Sequence, residues 1–290
     1  MRPVRLIVNP SAGGGRATRE LPRVEAALRA RSVVFRVDRT ASLDHARALA
    51  RDTLATAELC VAMGGDGLTG ALAGELREQP EGVLGLVPGG RGNDFARKLG
   101  VPVDPEAACE LLVKGAARAV DVADVGGRTY VGILSAGLDS DVQDIANATR
   151  LRLGTLVYLY GTVRALRAWK PARWTVSVDG QTREFSGYSV AVANSGVFGG
   201  GMRLVPDADL ADGQLDVVLS ADTSRRRFLR NLPKVFKGTH IDEPSLTILR
   251  GREIAFAADR PFVAYADGDP IADLPATVRV LAGALRVIAP

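Results

Sequence analysis

Three glycine-rich turns each follow a short apolar run: Asn9-Pro10-Ser11-Ala12-Gly13-Gly14-Gly15 after residues 4–8, Gly64-Gly65-Asp66-Gly67 after residues 59–63, and Pro88-Gly89-Gly90-Arg91-Gly92-Asn93-Asp94 after residues 83–87. A fourth apolar run covers residues 33–37, and amphipathic stretches near residues 24–30, 43–54 and 68–77 lie between the runs. This is the grammar of a mostly parallel α/β sheet. In such a sheet ligands bind beyond the carboxyl ends of the strands, so the three turns are expected to form one site. Glycines let the backbone turn sharply and aim N–H groups at an anion, and the helix starts after Gly67 and Asn93 add partial positive charge. A further helix is predicted over Pro105–Lys114, capped by Asp104 and opened by a proline.

From about residue 119 the grammar changes. Apolar runs at 120–125, 129–134, 175–178, 188–193, 215–219, 246–248, 254–257, 263–266, 278–281 and 285–288 alternate with turns and predict a β-rich half. A long helical stretch over 139–169 and a basic one over Arg225–Lys237 interrupt it. The expected organisation is an α/β domain over 1–120 and a β-rich, β-sandwich-like domain over 121–290, whose last strands can pack back on the first domain.

Composition removes several classes of function. No apolar run of the 290 residues nears the roughly 18 of a membrane span, and the chain runs from Met1 straight into a strand, so no signal peptide is expected. Cys60 and Cys109 form no CxxC pair, which suggests small buried residues in a reducing, cytoplasmic setting. The net charge of +4 favours phosphates or an anionic membrane surface. Aromatics are only 5% and do not interleave with basic residues, so nucleic acid is not an expected partner. His45 and His240 make no HExxH zinc site, and Gly187-Tyr188-Ser189-Val190-Ala191 lies within a predicted strand rather than at a nucleophile elbow.

Named nucleotide motifs also fail. There is no GxxxxGK[ST], and although Gly65-Asp66-Gly67-Leu68-Thr69-Gly70 matches GxGxxG, the following strand ends in Val87-Pro88 with no acidic residue for a ribose. Asp66, set between glycines, would repel a phosphate directly, whereas a bridging Mg²⁺ reverses that sign.

Taken in order, these motifs resemble the diacylglycerol kinase and sphingosine kinase superfamily, especially its bacterial diacylglycerol kinase and lipid kinase branch, and more distantly NAD kinases. The resemblance continues through Ala136-Gly137-Leu138-Asp139, Val192-Ala193-Asn194-Ser195, Gly199-Gly200-Gly201-Met202, the segment from Asp209 to Asp216, and Asp267-Gly268-Asp269. It implies an ATP-dependent lipid kinase that phosphorylates a diacylglycerol-like hydroxyl, with the nucleotide between the domains and the lipid cleft on the β-rich one. It assigns Asn9, Pro10, Ser11, Ala12, Gly13, Thr40, Gly64, Gly65, Asp66, Gly67, Leu68, Thr69, Gly70, Arg91, Asn93 and Asp94 to ATP. Asp66 would organise Mg²⁺ and the phosphates, and Asp267 or Asp269 would take the proton from the lipid hydroxyl. Asp209, Asp212 and the backbone of Gln214 would hold a separate structural metal.

The chain departs from the family pattern at Leu68, Gly70 and Ala71, where a threonine and an Asn-Glu pair are usual, and at Arg91, where a small hydroxyl residue is usual. Those departures keep a catalytically weak or noncatalytic nucleotide- or lipid-binding relative as an alternative, beside NAD kinase. The basic helix is expected to face anionic headgroups in a cytoplasmic, peripherally membrane-associated protein; a homodimer is left open.

Overall fold

The structure is a computed structural model that describes residues 2–149 and 156–290. Its elements run β1 (Val4–Val8), α1 (Ala12–Ala30), β2 (Phe35–Arg39), α2 (Leu43–Ala55), β3 (Leu59–Gly64), α3 (Asp66–Leu76), β4 (Val83–Pro88), α4 (Asp94–Lys98), α5 (Pro105–Lys114), β5 (Ala116–Val125), β6 (Arg128–Tyr130) and β7 (Ile133–Gly137). They continue with α6 (Leu138–Ala148), α7 (Leu156–Ala168), β8 (Ala172–Val178), β9 (Gln181–Ala193), β10 (Val197–Phe198), β11 (Met202–Arg203), β12 (Leu215–Ala221) and α8 (Arg225–Lys237). The last five strands are β13 (Leu246–Gly251), β14 (Glu253–Ala258), β15 (Val263–Ala266), β16 (Asp269–Asp273) and β17 (Ala276–Ala289). The chain divides into two compact units, one of residues 1–122, 129–131 and 282–290, the other of residues 123–128 and 132–281.

In the first unit β4, β3, β1 and β2 lie parallel in that order, and the end of β17 adds a parallel partner beside β4. β1, β3 and β4 are buried along their whole length, as strands covered on both faces must be. The one charge inside β1, Arg5, is neutralised by Asp38 at 2.8 Å and reaches Asp52 at 3.5 Å. β2 lies two residues later than the predicted run 33–37, because its pairing with β1 matches Val4 to Phe35 rather than its own hydrophobicity. α1 is longer than predicted: Gly13, Gly14 and Gly15 form a left-handed turn at positive φ, and the right-handed helix follows from there to Ala30. Caps follow the expected chemistry, with Asp104 accepting from Glu106 and Ala107 N–H and Ser42 accepting from His45 N–H. The His45 ring nitrogen Nδ1 accepts from Ala41 N–H, so this histidine serves the helix start.

The second unit is antiparallel. β9 pairs with β8 through its first half and with β7 and β12 through its second, changing partners at Gly187, where a Cβ would stand 2.2 Å from Ser220 O. β14 joins β8 to the start of β17, β12 carries β13, and β7 carries the β15–β16 hairpin. The predicted helix over 139–169 is replaced by α6 and α7, with residues 150–155 outside the described residues. The two strands predicted at 278–281 and 285–288 are one strand, β17, and the predicted strand 129–134 is split into β6 and β7.

α8 has no buried residue and is fastened from one side. Arg227 and Lys234 both reach the carboxylate of Glu243, and Asn231, one turn from each, also bonds to it. Those bonds hold the Glu243 carboxyl down at about 2, below its ordinary 4.5. A depressed acid stabilises the fold above its unfolded value and loses that contribution as pH falls through the folded one. The α8 amides should therefore lose hydrogen-exchange protection as pH drops from about 4.5 to about 2, and Glu243→Gln should abolish the pH dependence across that window.

Candidate active site

In the first unit the three glycine turns meet backbone to backbone. The carbonyl of Gly64 accepts from both Gly89 N–H (2.8 Å) and Gly90 N–H (2.9 Å). A Cβ on Gly90 would lie 2.3 Å from Gly65 Cα, and one on Gly13 would lie 2.6 Å from Gly89 O. Asn9 N–H is held by Met63 O, and the Asn9 side-chain oxygen accepts from Ser11 N–H (3.1 Å) and Ser11 Oγ–H (2.8 Å), which sets the first turn. Thr40 N–H bonds to Val8 O at 2.8 Å, so Thr40 stands at the same end of the sheet.

Asp66 closes the arrangement. Its Oδ2 accepts from Asp94 N–H (3.1 Å) and its Oδ1 from Phe95 N–H (3.0 Å). Burial pushes its carboxyl up, while these backbone donors pull it back. A Cβ on Gly92 would stand 2.7 Å from Asp94 Oδ2 and 3.3 Å from Asp66 Oδ2, so two carboxylates face the space over Gly92. Asn93, at φ 53°, braces the same turn: its Oδ1 accepts from Gly90 N–H at 2.8 Å and its Nδ2 donates to Gly90 O at 3.1 Å. Arg91 is exposed, whereas Leu68, Thr69, Gly70 and Ala71 are buried in α3 behind the turn. Thr69 Oγ donates back to Gly65 O at 3.2 Å.

The second unit carries its own constellation. Asp267 and Gly268, both at positive φ, form the two-residue turn between β15 and β16. The Asp267 Oδ1 accepts from Gly132 N–H at 3.0 Å, and the Gly132 carbonyl accepts from Asn194 and Ser195 N–H. Asp269 stands exposed at the first residue of β16. Gly132 is the partner that local sequence did not reveal; a Cβ there would sit 2.2 Å from Asp267 Oδ1.

Nearby in the chain, α6, α7 and the β15 approach line a cavity of about 490 Å³. Its walls include Trp169 and Phe262, and its polar groups include Asp141, Asp144, Arg260 and Tyr265. Arg260 lies over both rings, 5.1 Å from Trp169 and 5.0 Å from Phe262, and Tyr265 O–H donates to Asp144 at 2.5 Å. That bond pushes the Tyr265 phenol up to about 12. Burial, then the neighbouring Asp144, pushes the Asp141 carboxyl up, and Arg260 opposes them. At the start of α6, burial pushes Asp139 up to about 6 against the pull of its bond with Ser189.

The turn from Asp209 to Asp216 is organised by hydrogen bonds and an arginine. Asp209 Oδ1 accepts from Ala211 N–H (3.0 Å) and Asp212 Oδ1 from Gln214 N–H (2.9 Å). Arg250 pairs with Asp212 Oδ2 and, at 3.0 Å, with Asp216. Asp212 thus bonds within its own turn through Oδ1 and to Arg250 through Oδ2, and it is this arginine that ties the segment to β13. Among the described residues no group of three or more His, Cys, Asp or Glu is placed to hold a metal.

The α/β unit rimmed by glycine turns and the β-rich unit that follows it in the chain each match a known family of kinases. Residues 3–125 match the diacylglycerol kinase catalytic domain, and residues 132–289 match the YegS C-terminal NAD kinase beta sandwich-like domain. A diacylglycerol kinase of Mycobacterium tuberculosis is 30% identical over 99% of this chain and 95% of its own length. One of Bacillus subtilis (strain 168) is 26% identical over 93% of this chain and 90% of its own. The crystal structure of a diacylglycerol kinase from Bacillus anthracis str. Sterne shares the fold, with a TM-score of 0.78 at 23% identity over 100% of this chain and 97% of that one. The chain belongs to this diacylglycerol kinase family, as the ordered motifs implied, and its α/β plus β-rich fold class is the one expected. Among the described residues no helix is long and apolar enough to cross a membrane.

The backbone contact between the turns is open to test. Gly90→Ala would force the chain away from Gly65 and should cost about 1–3 kcal/mol, the usual penalty of overpacking, read as a lower midpoint of chemical denaturation.

Proposed function

We propose that the protein transfers the γ-phosphoryl group of ATP to the hydroxyl of a diacylglycerol-like lipid. The observation that carries this reading is the backbone-to-backbone convergence of three glycine turns at one end of the parallel sheet, with Asp66 tying the third turn to the second. Such a surface offers N–H groups rather than side chains to an anion, which suits a polyphosphate. Gly14 supports the fit: it has φ +65°, and a Cβ there would meet nothing within 4 Å, so its backbone lies open at the rim. Magnesium is commonly held by one or two carboxylates together with substrate phosphates, and Asp66 and Asp94 over Gly92 supply that pair. When bound, the ion neutralises charge on the phosphates. Asn9, Ser11, Gly13, Thr40 and Arg91 complete the proposed nucleotide contacts.

For the acceptor, the aromatic-walled cavity of the second unit lies within the usual ligand range of about 300–1,000 Å³ and would take apolar chain. Asp267 is the better of the two candidate bases. Its carboxylate is fixed in direction by Gly132 N–H and is half-buried, whereas Asp269 is exposed. It would orient the lipid hydroxyl and accept its proton as the oxygen attacks phosphorus and the bond to ADP breaks. The glycine rim is common to many acceptors; the likeness over nearly the whole chain to proteins named diacylglycerol kinase favours a lipid over a soluble dinucleotide.

Transfer of labelled γ-phosphate into a panel of lipids in mixed micelles, with NAD⁺ as a soluble acceptor, tests the reading. Label should enter a lipid and not NAD⁺. Asp267→Asn should lower kcat by about 10²–10⁴-fold with little change in KM for ATP. Gly132→Ala, whose Cβ would displace the same carboxylate, should lower kcat in the same way. Label on NAD⁺, or full activity in Asp267→Asn, would overturn the assignment.

A further inference from the structure

The outward face of α8 shows a pattern that the kinase chemistry does not use. Arg226, Leu229, Arg230, Pro233, Phe236 and Lys237 recur at intervals that bring them to one side of the helix, and all are exposed, Leu229 by 37% and Phe236 by 46%. The other cations of α8 are committed elsewhere: Arg227 and Lys234 to Glu243, and Arg225 to the carbonyl of Trp169 at 3.1 Å. Arg226, Arg230 and Lys237 ion-pair with no carboxylate among the described residues, and the helix contains no acidic residue. Three unneutralised cations therefore surround two large apolar side chains.

We infer that this face docks the protein on an anionic bilayer. Cations at the phosphate level, with leucine and phenylalanine reaching the acyl boundary, are the chemistry of an interfacial helix. A second copy is disfavoured by charge, since a twofold contact through this face would set Arg226, Arg230 and Lys237 against themselves. An acidic protein surface would match the cations and leave Leu229 and Phe236 against polar groups. The inner side of α8 adds a reason for the location. Phe228 packs on Tyr188 with ring centroids 4.7 Å apart, and Tyr188 stacks on Trp169 at 6.4 Å, a wall of the 490 Å³ cavity. Docking through α8 thus holds that wall close to the lipid surface. The inference deepens the lipid-acceptor reading and rests on it for its purpose, though not for its measurement.

The test is co-sedimentation of the full chain, without ATP, with vesicles of phosphatidylcholine alone or with added phosphatidylglycerol. The wild-type chain should bind the anionic vesicles and not the neutral ones. Each cation near an anionic surface is worth about five-fold in partitioning, so Arg226→Gln with Arg230→Gln and Lys237→Gln should weaken binding about 100-fold. Leu229→Ser with Phe236→Ser should weaken it at high salt, where charge attraction is screened. Circular dichroism confirms that each variant is folded, and phosphoryl transfer to acceptor in detergent micelles should be unchanged in both. Equal binding to neutral vesicles, or no binding by the wild type, would overturn the inference. So would wild-type binding by the variants, or a loss confined to Leu159→Ser with Val163→Ser on the exposed face of α7. A dimer dispersed by Phe236→Ser would assign the face to a second copy. Micellar transfer that fails on every lipid while docking persists would remove the kinase reading and leave the docking face.

Discussion

The geometry of the first unit depends on the Gly64 carbonyl. By accepting from both Gly89 and Gly90 N–H it pins the turn after β4 to the turn after β3, and only glycine at 65 and 90 lets the two backbones come that close. Once they are joined, Asp66 can reach the first N–H groups of α4, and the starts of α3 and α4 share one carboxylate. The cost is a charge held where water is scarce. Two backbone donors offset it, since the same N–H groups would otherwise be unsatisfied at a helix start. The convergence of the three turns therefore begins as a packing problem between glycines, and the carboxylate is part of the scaffold before it is part of any chemistry.

The second unit fixes its aspartate with a turn. Asp267 and Gly268 take the two left-handed positions of a hairpin turn for which Asp-Gly is a favoured pair. Asp179 and Gly180 make the same turn between β8 and β9, with the carboxylate taken by Arg252 and Glu253 N–H, so the backbone alone does not set Asp267 apart. Its contact does: the Asp267 carboxylate is caught by Gly132 N–H, which fixes its direction. Asp269, two residues on, stands exposed at the start of β16.

Much of this was legible in the chain. The strand-helix alternation, the glycine turns, the cap at Asp104, and the change to β grammar near residue 119 are local patterns set by neighbours a few positions apart. The parts that were not legible are made by distant contacts. Gly132 meets Asp267 across 135 residues, Arg250 reaches Asp212 across 38, and Glu243 gathers three α8 side chains that composition alone would count as one undivided basic face. β2 was misplaced for the same reason: its register answers to β1. The three glycines at 13–15 are the turn their sequence implies, all at left-handed φ, and the regular part of α1 follows them.

The departures from the family pattern take on a different weight in the structure. Ala71 is 7% exposed and Leu68 2% exposed, both on the packed side of α3. A carboxylate at 71 would need a partner in that interior, and alanine removes the need along with the charge. A leucine at 68 fills space beside Gly64, where its Cδ2 would lie 2.7 Å from an added Cβ and so helps to require glycine there. These residues shape the cradle from behind while the backbone forms its open face. A site built of backbone tolerates such changes better than one built of side chains, because its donors stay the same when the side chains do not. Arg91 differs in kind, since it is exposed on the turn itself, outside the packing that fixes Leu68 and Ala71, so its guanidinium stands on the same side as the open backbone rather than behind it.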